Sequence, residues 1–183
     1  YKSLGLEFVC FTEHASKPGS PEKQATDSNI SQSLLTEAER IKRINQESGK
    51  DIMALSGVEA NIFIDENNQP AIDLPDEVLQ KLDLVIASRH AIAQEKEPKA
   101  IKETLIFAIK NPRVDVIGHT DRYTRNDKEK SPEYWQEYWK IWPEILEEMV
   151  KNNKAFEINL NNPPAKKLIE LAAKAGVRFF INY

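Results

Sequence analysis

Short apolar runs recur along the chain at 8–11, 53–58, 83–87, 114–117, 155–160 and 177–181, and several are apolar at consecutive positions. Consecutive apolar residues mark strands buried on both faces, the habit of a parallel sheet, whereas alternation would mark a sheet with one wet face. Between most of the runs the period changes to that of a helix. "LLTEAERIKRINQESG" carries Leu34, Leu35, Ile41 and Ile44 near helical spacing with Gly49 placed to cap its C-terminus, and further helices are expected at 75–82, 98–110, 131–153 and 163–176. Strand, loop, helix, strand is the cadence of βαβ units, and it leaves two architectures, an open doubly wound sheet or a (βα) barrel. In the helix opened by Ser131 and Pro132, the residues Trp135, Trp139, Trp142, Leu146 and Met149 form one apolar face, suited to core packing or to a subunit interface.

Composition narrows the picture. A chain of 183 residues is one domain, 1–183, large enough to bury a core without staples. The formal net charge of −4, with no basic stripe, argues against nucleic acid as a partner. Cys10 is the only cysteine and reads as a small apolar residue in a reducing compartment. No apolar stretch approaches the roughly 18 residues of a membrane helix, so the expectation is a soluble, cytoplasmic chain with no membrane partner. No Gly-x-Gly-x-x-Gly follows the first strand and no phosphate loop is present, which leaves a nucleotide-binding fold with little support. The opening "YKSLG", read as the tail of a helix closed by Gly5, and the closing strand "VRFFINY" lead to the expectation of a piece of a larger domain.

The chemistry lies in the histidines. There are three, His14, His90 and His119, and each follows an apolar run: "FVCFTEH", "LDLVIASRH" and "VDVIGH". Glu59 in "ALSGVEAN" has the same placement. In a barrel the C-terminal ends of the strands converge on one rim, where catalytic groups gather. Imidazole and carboxylate are ligands that zinc, manganese and iron accept, so four such groups on one rim make a candidate metal site. Glu13 and Asp121 beside two of the histidines are placed either to orient imidazoles or to face solvent. Arg89 and Arg122 adjoin the rim histidines and suit a phosphate oxygen pair, while Arg125 serves equally as a surface partner of Asp121 or Asp127. Asn159, Asn161 and Asn162 set a turn and cap the next helix, and Asn159 can also reach the site from its strand end.

Taken together these segments resemble the PHP domain (polymerase and histidinol phosphatase), a family of metal-dependent phosphoesterases built on a distorted seven-stranded, TIM-like (βα) barrel. "VCFTEH" is similar to the family's Thr-Asp-His motif with Glu13 where Asp is commoner, "SGVEANI" to its Gly-x-Glu-x-Asn element, and "DLVIASRH" to its strand ending in a metal-binding His. "VDVIGHTDRY" resembles its Ile-Gly-His-Pro segment with Thr120 in place of Pro, and "AFEIN" its Glu-Ile-Asn strand. The family's opening His-x-His strand and closing Ser-Asp-x-His motif are not in this chain, so the resemblance implies a barrel incomplete at both ends. It implies further that Glu59, His90 and His119 are the catalytic set, holding one divalent cation (zinc, manganese or iron), with Glu59 bridging to a second and His14 belonging to a third. The implied activity is hydrolysis of a small phosphorylated substrate by metal-activated water, with Arg89 and Arg122 on the phosphate. Little activity is expected from these residues alone, and an unpaired barrel edge invites self-association. The alternatives are a nuclease-type PHP module, or an accessory, non-catalytic one.

Overall fold

The computed structural model describes residues 7–15, 28–47, 52–90, 97–122 and 130–182. Gly5, Gly49, Arg125 and Asp127 lie outside the described residues. Six strands pair side by side in the order in which they occur in the chain: β1 (Phe8–His14), β2 (Met53–Ile64), β4 (Leu84–Ser88), β5 (Val116–Gly118), β6 (Ala155–Asn159) and β7 (Arg178–Asn182). Every one of these pairings is parallel. Sequential order decides between the two architectures. A doubly wound sheet reverses direction at a switch point, whereas here each strand is added to the same side, which gives a parallel half-barrel. Between the strands run α1 (Ser28–Glu47), α2 (Asp76–Leu79), α3 (Pro98–Lys110), α4 (Pro132–Lys151) and α5 (Lys166–Ala175).

The seventh strand of the sheet, β3 (Pro70–Ile72), pairs antiparallel with the far end of β2, where Ile62 faces Ile72 and Ile64 faces Pro70. Periodicity misses it, because three residues that open on a proline carry no period. Local chemistry makes the turn instead. Asp65 Oδ1 accepts from the backbone N–H groups of Asn67 (2.9 Å) and Gln69 (2.8 Å), and Asn68 takes the left-handed conformation at φ 59° that asparagine tolerates. The hairpin lengthens β2 beyond the expected 53–58. Glu59 therefore stands within β2 rather than after it, at the level where β1 ends, in register with His14.

The core lies between the sheet and the helices. Val58, Ala60, Val85, Ala87, Ile117 and Phe156 of the strands pack on Ile101, Leu105, Ala108 and Ile109 of α3, Tyr138, Trp142, Ile145 and Met149 of α4, and Leu168 and Ala172 of α5. Burying each large side chain contributes about 1.5–3 kcal/mol. The buried face of α4 runs through Tyr134, Tyr138, Trp142, Ile145, Leu146 and Met149, turned slightly from the tryptophan stripe the sequence suggests. Trp135 and Trp139 sit on its flank, packed against the core in part, with Lys167 Nζ 4.0 Å above the Trp139 ring. Ile44 of α1, expected inside, is 41% exposed, while Ala38 and Ile41 make the buried contact.

Candidate metal centre

The parallel sheet brings the C-terminal ends of β1, β4 and β5 and the middle of β2 to one level. That level holds the three histidines and Glu59. The His14 and His90 rings meet edge to face with centroids 5.2 Å apart, and His90 and His119 do the same at 5.4 Å. Glu59 lies among all three. Its Oε1 is 3.0 Å from His119 Nε2 and 3.3 Å from His90 Nε2, and its Oε2 is 3.6 Å from His14 Nδ1. His90, His119 and Glu59 are buried, and His14 stands half open to solvent.

Backbone geometry makes the convergence possible. A Cβ at Gly118 would fall 2.3 Å from Ser88 Oγ and 3.3 Å from Glu157 Oε2, so only glycine lets β5 approach β4 and β6 this closely. The next residue, His119, takes a left-handed backbone with φ 48°. Its N–H (2.8 Å) and its Nδ1 (2.9 Å) both point at Glu157 Oε2. Asn182 Nδ2 donates to the other oxygen of Glu157 at 2.9 Å. Glu157 is thus the orienting carboxylate of His119. Asp121, two positions after His119, does something else: its Oδ2 accepts from the backbone N–H of Ala165 at 2.8 Å, tying the loop after β5 to the start of α5. Glu13 is exposed.

His90 has a partner of its own. Its Nδ1 contacts Asn61 Oδ1, and Asn61 is held in turn by Asp73 at the end of the β3 hairpin. Asp73 is not signalled by its own stretch of sequence, and the stretch around Glu157 does not name its partner. Each acts on a residue that folding brings near, 38 and 12 positions away respectively. The segment "AFEIN" supplied the one usable hint, since a Glu inside a buried parallel strand demands a partner.

Electrostatics follow from this crowding. Burial works against a charged Glu59, yet the His119 imidazole, foremost among its neighbours, outweighs it and holds the carboxyl well below the usual carboxylate range. Burial likewise opposes charge on His119, but Glu157 and Glu59 prevail, and its imidazole is pushed up to about 9. Glu157 is lowered despite its burial, chiefly by His119.

The donor set fits a divalent cation. One ligand atom from each of His14, Glu59 and His90 lies within 4.8 Å of the others, and His119 shares Glu59 from the far side. Glu59 Oε1 is buried with no aligned hydrogen bond although two imidazole nitrogens stand close to it. A lone pair kept from water in this way suits a cation placed among the three atoms. Beside it opens a polar cleft of about 500 Å³ lined by Thr12, His14, Glu59, His119, Arg122 and the asparagines 159, 161, 162 and 182. Arg122 thus faces the cleft. Arg89 is only 3% exposed and is not among the lining residues. Asn159 serves both expected ends: its Oδ1 accepts from the N–H groups of Asn161 and Asn162, each at 3.1 Å, and it also lines the cleft.

Comparison with known proteins places this rim in a family. A protein from Caldanaerobacter subterraneus named as a probable phosphatase is 38% identical over 118 residues, 63% of this chain and 40% of the relative. Another from Aliivibrio fischeri, named likewise, is 30% identical over 193 residues, covering 97% of this chain and 65% of its own. The chain spans about two fifths of the length of the first of these relatives. Among solved structures, a Listeria monocytogenes protein assigned as a histidinol phosphatase superposes with TM-score 0.68 at 15% identity, covering 99% of this chain and 84% of that one. The Lactococcus lactis histidinol phosphate phosphatase, solved with zinc, L-histidinol and phosphate, gives TM-score 0.57 at 23% identity and covers 99% and 75%. The model of the PHP domain matches residues 1–161, and the chain belongs to the PHP domain family.

Proposed function

We propose that the chain carries the metal-binding rim of a phosphoesterase that hydrolyses a small phosphomonoester with the help of divalent cations. The observation that carries this reading is the set of His14, Glu59 and His90 donor atoms within 4.8 Å of one another, opening on a polar cleft. Glu59 is the shared ligand between the His14 and His119 sides, with His90 between them. A cation held there would lower the pKa of a water molecule and offset charge on the phosphoryl oxygens. The side chains do the rest. Arg122 holds a phosphate oxygen pair, the cleft asparagines donate to the remaining oxygens, and Glu157 keeps the His119 ring turned toward Glu59. Arg89, adjacent to His90, is a second phosphate ligand only if its burial is relieved when substrate enters. Zinc, manganese and iron all suit imidazole and carboxylate; the zinc, L-histidinol and phosphate held by the Lactococcus lactis relative favour zinc and a small phosphorylated compound. Among the described residues no helix is long and apolar enough to cross a membrane. Among the described residues the cleft lining includes one arginine and no Phe, Tyr or Trp side chain, which favours a small substrate over a stacked nucleic acid.

The test is calorimetric titration of zinc or manganese into the metal-free chain, followed by inorganic phosphate into the loaded chain. Saturable binding of both supports the reading. Zinc affinity unchanged in a His90→Ala, His119→Ala double variant would overturn it.

A further inference from the structure

We propose that Asp73 is a positioning residue that sets the tautomer of His90 through Asn61. Asp73 is 1% exposed and Asn61 2%, and the two are locked together. Asp73 Oδ1 accepts from the Asn61 backbone N–H at 2.8 Å, Oδ2 accepts from Asn61 Nδ2 at 2.5 Å, and the Asp73 backbone N–H donates to the Asn61 carbonyl at 3.1 Å. The logic is one of donors and acceptors. An ionised carboxylate only accepts, so the Asn61 amide must turn its NH₂ toward Asp73 and its oxygen the other way, toward His90. An amide oxygen also only accepts, so His90 Nδ1 must carry the proton. In the neutral ring this leaves Nε2 bare, and Nε2 is the nitrogen 3.3 Å from Glu59 Oε1. Asp73 follows β3 rather than standing on the rim, and it is not among the residues that line the cleft. Its effect passes through Asn61, as a carboxylate acting through an intermediate fixes a metal-binding imidazole.

The tautomer itself is a property of the chain without metal; only its consequence for affinity rests on the function proposed above. Two-bond proton–nitrogen spectra of the histidine-labelled, metal-free chain at about pH 8.5 distinguish a protonated ring nitrogen from a bare one. His90 is expected with Nδ1 protonated and Nε2 bare. Asp73→Asn frees the amide to flip and should give a mixture of tautomers, with zinc affinity reduced about 10- to 100-fold. Exchanging the pair, Asn61→Asp with Asp73→Asn, should restore both, because the carboxylate then at position 61 accepts from His90 and from the new amide. A wild-type His90 protonated on Nε2 overturns the proposal whether or not any variant folds. So does a folded exchange variant that fails to recover the tautomer. A wild-type His90 with the expected tautomer in a chain that takes up no zinc supports the role of Asp73 and overturns the metal reading instead.

Discussion

The two ends of the parallel sheet both carry polar side chains, yet they use them in opposite ways. At the N-terminal ends of the strands, among the described residues, the polar side chains bond chiefly to backbone. Asp83 Oδ2 accepts from Ser56 N–H at 2.9 Å and from its hydroxyl at 2.8 Å, and Asp115 Oδ2 accepts from Val85 N–H at 2.9 Å. Asn45 pairs with both the N–H and the carbonyl of Ala54, and Lys154 Nζ donates to the carbonyls of Asn111 and Val114. At the C-terminal ends the polar side chains converge on one another, with Glu59 set among three imidazoles and a carboxylate behind one of them. Satisfied backbone marks an end that serves stability. Convergent side-chain lone pairs mark an end that needs something from outside.

Mutations should separate the two ends. The largest effect on the rim is expected from Glu59→Gln, which removes the group shared by all three histidines: zinc affinity should fall by more than the roughly 100-fold typical of losing an outer partner, as read by calorimetry. Retained affinity would mean that the rim, like the other end, is satisfied by its own internal contacts. Glu157→Gln should cost about 10- to 100-fold in the same titration, because the His119 ring loses its charged anchor but not its place. Arg122→Ala should weaken inorganic phosphate binding to the zinc-loaded chain about 10-fold, the worth of one charge-assisted hydrogen bond, and leave zinc itself unchanged. The smallest effect on the rim is expected from Asp83→Ala. It should not alter zinc affinity, but orphaning the Ser56 N–H and hydroxyl should cost about 1–3 kcal/mol of stability, visible as a lower melting temperature. A zinc defect in that variant would show the two ends to be coupled.

How much of this is legible in the sequence depends on how far apart the interacting residues lie. The six parallel strands are legible because each is a short apolar run, several of them apolar over consecutive positions, a local property. His14, His90 and His119 are legible as a group because each ends such a run, and the parallel sheet then brings them together. The β3 hairpin is hidden: Pro70–Ile72 is too short for a period, and its turn depends on side-chain bonds from Asp65. Asp121 illustrates the other failure. Adjacency to His119 suggests an orienting role, but the chain turns after Gly118 and carries the carboxylate toward α5, while Glu157 arrives from the neighbouring strand. Proximity along a strand is a poor guide to proximity across one, because successive side chains point to opposite faces.

The left-handed backbone at position 119 also bears on how this rim is lost as well as how it works. Most residues pay about 1–2 kcal/mol to adopt that conformation, and asparagine and glycine pay least. An His119→Asn variant therefore deletes the imidazole while keeping the turn, whereas His119→Val would damage both together. The same preference gives decay a direction: a descendant of this chain that no longer needs the site has an inexpensive route through asparagine or glycine at 119, and would keep its half-barrel while losing its chemistry.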